Sequence, residues 1–341
     1  MIWFDTTKTG AEGHRSGLMR VSSRLRQELG SAAQAIAWQD WEKAASANDW
    51  FITTELFAEA ERPGFTALLR RRRCRTAAVF HDAIPLKFPH TTWPRSVERH
   101  PSYLTLLREF DHVWAVSSAS RDELLGFWHW QGEGPTPPVE VLPLGADADG
   151  RPRVTAPAAP TTPARFLCLG IIEPRKNQEF LLDVCAALWT AGLNFGLDVV
   201  GRVNPHFGVE TAARLRRMAR EYPQLRFHEA ATDTEVDALM KVATATIFPT
   251  QAEGCGLPLL ESLWRGVPVL ASDLPPLREN AAAGGCRLVP PNDANLWREA
   301  IREWVTHDSA RTELARAACT RPLPTWRGAA EILRAATERP R

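Results

Sequence analysis

Short apolar runs alternate along the chain with longer stretches in which apolar residues recur every three or four positions. The first run, Ile2 to Phe4, leads into a polar loop from Asp5 to Ser16. Leu18, Val21, Leu25 and Leu29 then mark one face of a helix beginning at Gly17. Runs at Ala35 to Ala37, Trp50 to Thr53, Ala77 to Phe80, Val113 to Val116 and Val139 to Leu142 predict further strands, each separated by enough chain for a helix. The pattern restarts at Phe166 to Leu169 and continues through Leu197 to Gly201, Leu225 to His228, Thr246 to Phe248 and Val267 to Ala271. Helices are expected at Asp233 to Val242, Ala294 to Val305 and Ser309 to Ala318. Such alternation implies an α/β chain of doubly wound parallel sheets, with ligands at the carboxyl ends of the strands.

Between the two series the composition shifts to Ala, Thr and Pro, with prolines at 152, 157, 160 and 163, as in a linker. A chain of 341 residues exceeds one ordinary core, so two domains are the natural expectation. The expected division is 1–147, a linker over 148–164, a second domain over 165–325 and a closing helix over 326–341 that returns to the first domain. A formal net charge of +1 argues against a protein that coats nucleic acid. Cys74, Cys168, Cys185, Cys255, Cys286 and Cys319 have no C-x-x-C or zinc spacing and read as free thiols of a reducing compartment. The N-terminus enters a strand without a basic and apolar leader, and no run reaches about 18 apolar residues, so a cytoplasmic protein, soluble or membrane-peripheral, is expected. Arg70 to Arg73 with Arg75 form one dense basic run, expected on a helix. A solvated helix face is one reading of that run. The other is a foothold on anionic lipid at the inner face of the plasma membrane, with Trp128 and Trp130 as interfacial anchors.

The densest chemistry lies from Phe248 to Ser272, FPTQAEGCGLPLLESLWRGVPVLAS. A strand breaks at Pro249, and Gly256-Leu257-Pro258 opens a helix whose first amides, on Gly256, Leu257 and Leu259, form an anion site. Glu253 precedes that site and Glu261 follows it, an arrangement that fits a diphosphate flanked by two sugars. Upstream, Glu173-Pro174-Arg175-Lys176-Asn177 places two cations just beyond a strand end. Asp147-Ala148-Asp149 has the D-x-D form of a metal site but lies in the linker, so no metal is assigned to it.

EGCGLPLLE, followed by Gly266, Pro268, Val269 and Ser272, resembles the E-x7-E signature of the retaining glycosyltransferases of family 4, the group 1 transferases of GT-B fold. EPRKN resembles the family's phosphate-binding turn, and VFHDAIPLKFP the HD..P..FP segment of one branch. Gly17-Leu18-Met19-Arg20, AVSSASRDELL and Pro143 to Asp147 resemble further family segments. The resemblance implies two Rossmann-like domains facing a central cleft, the first on the acceptor side and the second binding a nucleotide-sugar. It implies transfer of a sugar, mannose or a deoxyhexose as first guess, from a nucleotide diphosphate-sugar to a hydroxyl of a glycan or glycolipid. The setting would be bacterial polysaccharide synthesis, with retention of anomeric configuration and without cofactor or metal.

The same resemblance gives Lys176, Arg175 and the amides of Gly256 and Leu257 to the diphosphate. Glu253 goes to the donor sugar, Glu261 to the ribose, and His81 to the sugar from the first domain. Gly17 lets backbone approach the phosphate, while Lys8, His14 and Arg15 face the acceptor. Phe227, His228 and Glu229 fall near the nucleobase. Two positions depart from the family pattern. Ile171 stands where arginine is usual, with Arg175, Arg202 or a base of the N-terminal loop as candidate substitutes, and Cys255 stands in the donor-binding loop where an aromatic is usual. The alternatives are another enzyme on this fold, an epimerase or phosphorylase, and a non-catalytic nucleotide-sugar-binding or scaffold protein of the same descent. Donor hydrolysis assayed without acceptor separates the last from an enzyme.

Overall fold

The apolar runs form two separate parallel sheets. This is seen in a computed structural model that describes residues 1–10, 17–132, 134–147, 150–158 and 161–338. The chain divides into a first unit, Met1–Ala148 with Pro324–Arg341, and a second, Asp149–Leu323.

In the first unit β1 (Ile2–Asp5), β2 (Ala33–Ile36), β3 (Trp50–Thr53), β4 (Arg75–Phe80), β5 (His112–Ala115) and β6 (Val139–Val141) lie in the order β2-β1-β3-β4-β5-β6. The intervening helices are α1 (Gly17–Leu29), α2 (Trp38–Ala44), α3 (Phe65–Arg70), α4 (Ile84–Lys87), α5 (Pro94–Leu106) and α6 (Ser118–Gln131), the last capped by Ser117 Oγ accepting from Ser120 N. Every position of β3 and β5 is buried, as expected of inner strands covered on both faces. Aromatic rings fill one side of the sheet, with Trp41 stacked on Phe51 at 4.4 Å and Phe57 edge-on to Phe65 at 5.0 Å.

At the reversal of strand order between β1 and β3, buried Arg62 bridges two buried carboxylates, Asp5 at 2.6 Å and Glu55. Glu55 Oε1 accepts from the amides of Lys8 and Thr9 at 2.7 and 2.8 Å, so the loop after β1 closes on an anion supplied by the protein itself. Burial and the neighbouring Asp5 push the Glu55 carboxyl up.

The basic run departs from expectation. α3 ends at Arg70, and Arg71 to Arg73 form a turn in which Arg72 has φ 48°. Arg70, Arg71 and Arg72 each pair with an acid, Glu109, Glu42 and Asp111 respectively, so the run carries its own counter-charges. Trp128 is buried and donates to Leu104 O at 2.7 Å, whereas Trp130 is 79% exposed. Among the described residues no helix is long and apolar enough to cross a membrane.

The second unit contains β7 (Arg165–Leu169), α7 (Gln178–Thr190), β8 (Gly196–Val200), α8 (Val209–Glu221), β9 (Leu225–His228), α9 (Asp233–Val242) and β10 (Ala245–Phe248). It continues through α10 (Leu257–Trp264), β11 (Val269–Ser272), α11 (Pro275–Ala281), β12 (Cys286–Val289), α12 (Ala294–Thr306) and α13 (Asp308–Thr320). The strands run in the order β12-β11-β10-β7-β8-β9, the doubly wound pattern of a dinucleotide-binding sheet. Phe166, Leu181, Leu182, Trp297, Ile301 and Trp304 share the larger of its cores. β12 was not expected. It is a half-exposed edge strand of four residues with an arginine at its second position, a pattern too short and mixed to read.

Residues 151 to 154 are tied to this unit, Trp264 Nε1 donating to Arg151 O at 3.0 Å and Val154 N to Trp264 O at 3.0 Å. Buried Asp237 on α9 pairs with Arg151, Arg265 and, at 2.9 Å, Lys241. Burial pushes its carboxyl up, but the hydrogen bonds from those three cations outweigh it and hold it at about 2. A depressed carboxylate contributes stability above the ordinary carboxylate range and loses it as pH falls toward the folded value. Asp237→Asn is therefore expected to cost about 1–3 kcal/mol at neutral pH, and the gap to wild type should close between about pH 4 and pH 2. Urea denaturation across that range checks it, and a gap that stays constant with pH refutes it.

The last helix, α14 (Trp326–Glu338), belongs to the first unit and packs on α1. Asp147 Oδ1 accepts from Trp326 N at 2.8 Å, and its Oδ2 lies 3.8 Å from Arg24. The first carboxylate of the D-x-D segment thus tethers a helix start, while Ala148 and Asp149 lie outside the described residues. All six cysteines are free thiols.

Candidate functional site

The strand order of the second sheet reverses between β7 and β10, the position at which open α/β sheets take ligands. The turns that follow these two strands meet there. β7 runs through Gly170 into a 3-10 turn over Pro174–Lys176, and Asn177 then adopts the left-handed conformation, φ 61°, before α7 begins. Asparagine tolerates that region, and its side chain is put to use. Asn177 Nδ2 donates to Pro249 O at 3.1 Å and Asn292 Oδ1 at 2.9 Å, while its Oδ1 accepts from Gln251 Nε2 at 3.1 Å. One residue thereby joins the loops after β7, β10 and β12.

Lys176 Nζ lies 2.5 Å from Glu253 Oε1, with side-chain exposures of 10% and 9%. The ammonium also sits 4.9 Å from the centre of the Phe248 ring. Arg175 Nη1 reaches the same oxygen at 3.3 Å and Thr250 Oγ1 donates to it at 2.8 Å. Arg175 is held from its other side by Glu173 Oε1, at 2.7 Å from Nη2, and Glu173 Oε2 accepts from Asn204 Nδ2 at 3.0 Å. Burial pushes the Glu253 carboxyl up, but the Lys176 and Arg175 charges, with hydrogen bonds from Lys176 and Thr250, hold it below the ordinary carboxylate range. Burial also lowers the Lys176 ammonium against the opposing pull of Glu253.

Beside this cluster α10 starts at Leu257, with Gly256 at φ 85° as its cap. A Cβ at Gly256 would come within 2.4 Å of Leu277 Cδ2, so both the backbone and the packing require glycine. The anion site at this helix start is smaller than the sequence suggested. Leu259 N donates to Gly256 O at 3.0 Å and Pro258 has no N–H, which leaves the amides of Gly256 and Leu257. The Cys255 thiol is buried and pushed up to about 12, so it brings no charge, and its carbonyl accepts from Asn280 Nδ2 at 2.6 Å. Glu261 is half-buried in the first turns of α10. Two cations, a carboxylate and a helix start can together hold a phosphate and a neighbouring polar group.

The remaining candidates are dispersed. Ile172 N donates to Arg202 O at 2.9 Å, which sets exposed Arg202 beside the Ile171 segment, and its guanidinium makes no hydrogen bond among the described residues. His228 Nε2 donates to Asp198 Oδ1 at 2.8 Å, Asp198 also pairs with Arg165, and Glu229 pairs with Arg216. Phe227, on the same edge strand, lies under Arg216 with the guanidinium 5.8 Å from its ring centre.

His81 and Gly17 belong to the first unit. His81 Nε2 donates to Thr54 O at 2.9 Å, and burial lowers the pKa of the ring, which favours the neutral imidazole. Gly17 opens α1 with nothing within 4 Å of where a Cβ would be. The Lys8 ammonium is bound at 2.8 Å by both Glu61 and Leu56 O, so it is not a loose cation, and His14 and Arg15 lie outside the described residues. Asn177 and Glu173 escaped the sequence reading as positioning groups although they stand within EPRKN. For Thr250 and for the Asp5, Glu55 and Arg62 cluster the sequence offered no signal.

Residues 154–321 match the family described as Glycosyl transferases group 1. Serotype-specific mannosyltransferase WbdA of Escherichia coli is 28% identical over 324 residues, which take in 87% of this chain and 37% of that protein. O-antigen chain mannosyltransferase B of Escherichia coli is 26% identical over 209 residues, 58% of this chain and 52% of that one. The chain therefore spans between about a third and a half of these curated relatives. Among solved structures, Anabaena Alr3699/HepE in complex with UDP aligns with a TM-score of 0.70 at 12% identity, covering 99% of both chains. WaaG, a glycosyltransferase involved in lipopolysaccharide biosynthesis, aligns with a TM-score of 0.64 at 16% identity over 97% of this chain and 99% of that one. At such identities the likeness is one of fold.

Proposed function

With residues 154–321 a group 1 glycosyltransferase domain, and the fold that of the GT-B glycosyltransferases, we propose that this protein transfers mannose from a nucleotide diphosphate-sugar to a hydroxyl of a growing glycan or glycolipid. The observation that carries the reading is the meeting of Lys176, Arg175 and Glu253 with the start of α10 at the reversal of the second sheet. The choice of sugar follows the relatives, whose names specify mannosyltransferases. GDP is the first base to test, with UDP and dTDP beside it.

In this proposal Lys176, Arg175 and the amides of Gly256 and Leu257 offset the charge that grows on the departing diphosphate. Glu261 takes the ribose, and Glu253 takes hydroxyls of the donor sugar. Arg202 adds a cation where Ile171 has none. Phe227, His228 and Glu229 border the base, His81 orients the sugar, and Gly17 leaves the start of α1 open to close approach. No side chain of the second-unit cluster is placed as a general base. The leaving phosphate accepts the acceptor proton, the configuration is retained, and neither metal nor cofactor takes part. A lipid-linked acceptor would bring the protein to the cytoplasmic membrane face.

The test is transfer from GDP-mannose to mannosylated acceptors in the presence of a chelator, with the product linkage assigned by NMR. An α-linked product formed at the same rate with and without chelator is the expected result. Transfer that requires added manganese, or an inverted product, overturns the corresponding part of the proposal.

A further inference from the structure

Glu253 Oε1 is the shared acceptor of Lys176 Nζ, Thr250 Oγ1 and Arg175 Nη1, at 2.5, 2.8 and 3.3 Å. Its Oε2 accepts no hydrogen bond among the described residues. Lys176 has little freedom to turn elsewhere, because its stem runs alongside Gly170, about 3.5 Å from where a Cβ would stand, and its ammonium is confined beside the Phe248 ring. The two cations best placed for a phosphate are thus already paired with carboxylates of the protein, Lys176 with Glu253 and Arg175 with Glu253 and Glu173. Any diphosphate that binds them must take them from Glu253.

We infer that Glu253 competes with the diphosphate for Lys176 and Arg175, and so distinguishes the sugar nucleotide from the sugar-free nucleotide that transfer leaves behind. This rests on the proposed function, in which the donor sugar lies against Glu253. When the sugar is present, its hydroxyls replace the donors that the displaced carboxylate gave up. When it is absent, the carboxylate is left buried without its cations and beside a second anion, which is costly on both counts. The sugar-free nucleotide therefore pays a penalty that the sugar nucleotide escapes. After each transfer Glu253 recovers its cations and favours release of the product.

The experiment is calorimetric titration of GDP, UDP, GDP-mannose and inorganic pyrophosphate into wild type and Glu253→Gln. Glutamine keeps the size and one carbonyl acceptor for Lys176 and Thr250 but removes the charge. The nucleoside diphosphate and pyrophosphate should bind the variant on the order of tenfold more tightly, while GDP-mannose gains nothing, and inhibition by product should deepen in parallel. Equal or weaker binding of pyrophosphate and nucleoside diphosphate overturns the competition. Equal tightening of GDP-mannose overturns the discrimination. Should wild type bind pyrophosphate but no nucleoside diphosphate, the proposed function falls, and the competition is judged on pyrophosphate alone. Thr250→Val, which removes one donor from Glu253 and keeps every charge, should shift affinity in the same direction by a factor of roughly two to three. It provides the reading if the glutamine variant melts early, and weaker pyrophosphate binding in it also refutes the inference.

Discussion

Lys176→Met is expected to lower turnover by roughly two to three orders of magnitude and to weaken nucleoside diphosphate binding. Methionine keeps an unbranched apolar stem between Gly170 and the Phe248 ring, so packing is largely conserved and the loss isolates the charge. Two consequences follow from the partners. In the proposed reaction the departing diphosphate would lose the less exposed of its two cations. Glu253 keeps only Arg175 and Thr250, and burial then pushes its carboxyl upward against a weaker opposing field. Breaking a buried pair from one side costs about 3–5 kcal/mol when nothing else compensates, and Arg175 should reduce that here. Single-turnover kinetics, nucleotide titration and thermal melting on the same preparation separate the catalytic from the structural part. Turnover within threefold of wild type would remove Lys176 from the chemistry.

Gly201→Ala is expected to destabilise the second unit by more than about 3 kcal/mol and to abolish nucleotide binding, although this residue is assigned no contact with a phosphate. An added Cβ would fall 1.8 Å from Gly170 O and 2.7 Å from Gly170 C. The obstacle is backbone, so no rotamer change relieves it, and the segments after β7 and β8 must separate. Those segments are bridged at Ile172 and Val203, with Ile172 N donating to Arg202 O at 2.9 Å and Asn204 N to Ile172 O at 3.0 Å. Asn204 in turn holds Glu173, which holds Arg175. A methyl group at Gly201 is thereby expected to reach the cation turn through three links. Denaturant unfolding with the second unit monitored by its tryptophans, alongside titration with nucleotide, checks both effects. Wild-type stability in Gly201→Ala would mean that the two segments do not run this close.

Much of the fold was legible because the inner strands are apolar throughout. β3, β5 and β10 are buried at all four positions and stand out as continuous runs. The edge strand β12 was not, since it is half-exposed and mixes polar with apolar residues, and the half-exposed edge strand β2 was placed only approximately, at Ala35 to Ala37 rather than Ala33–Ile36. α5 was missed for another reason, an internal Pro101 that interrupts the helical pattern. The basic run was misread as a helix face because Arg72 sits at φ 48°, a conformation for which arginine gives no signal.

In the site, local motifs placed Lys176 and Glu253 each just beyond a strand. That β7 and β10 are neighbours, which brings two residues 77 apart in sequence into an ion pair, is decided by the order of strands in the sheet. No local pattern encodes that order. The same holds for Asn177, whose partners lie 72, 74 and 115 residues away.

The position of α14 bears on how the chain is made. Trp50 and Thr337, joined by a 3.1 Å hydrogen bond, are separated by 287 residues. At about 5–20 residues per second, a ribosome takes on the order of 15–60 s to travel that distance. During this interval α1 has emerged but the helix that covers it has not. The whole of Asp149–Leu323 is synthesised in the meantime and already contains every strand of its own sheet. The usual sequence of folding during translation, amino-terminal domain first, is therefore expected to be reversed here. A chain ending at Leu323 and free of the ribosome should hold a finished second unit and an unfinished first one, with the face of α1 that meets α14 still available to chaperones.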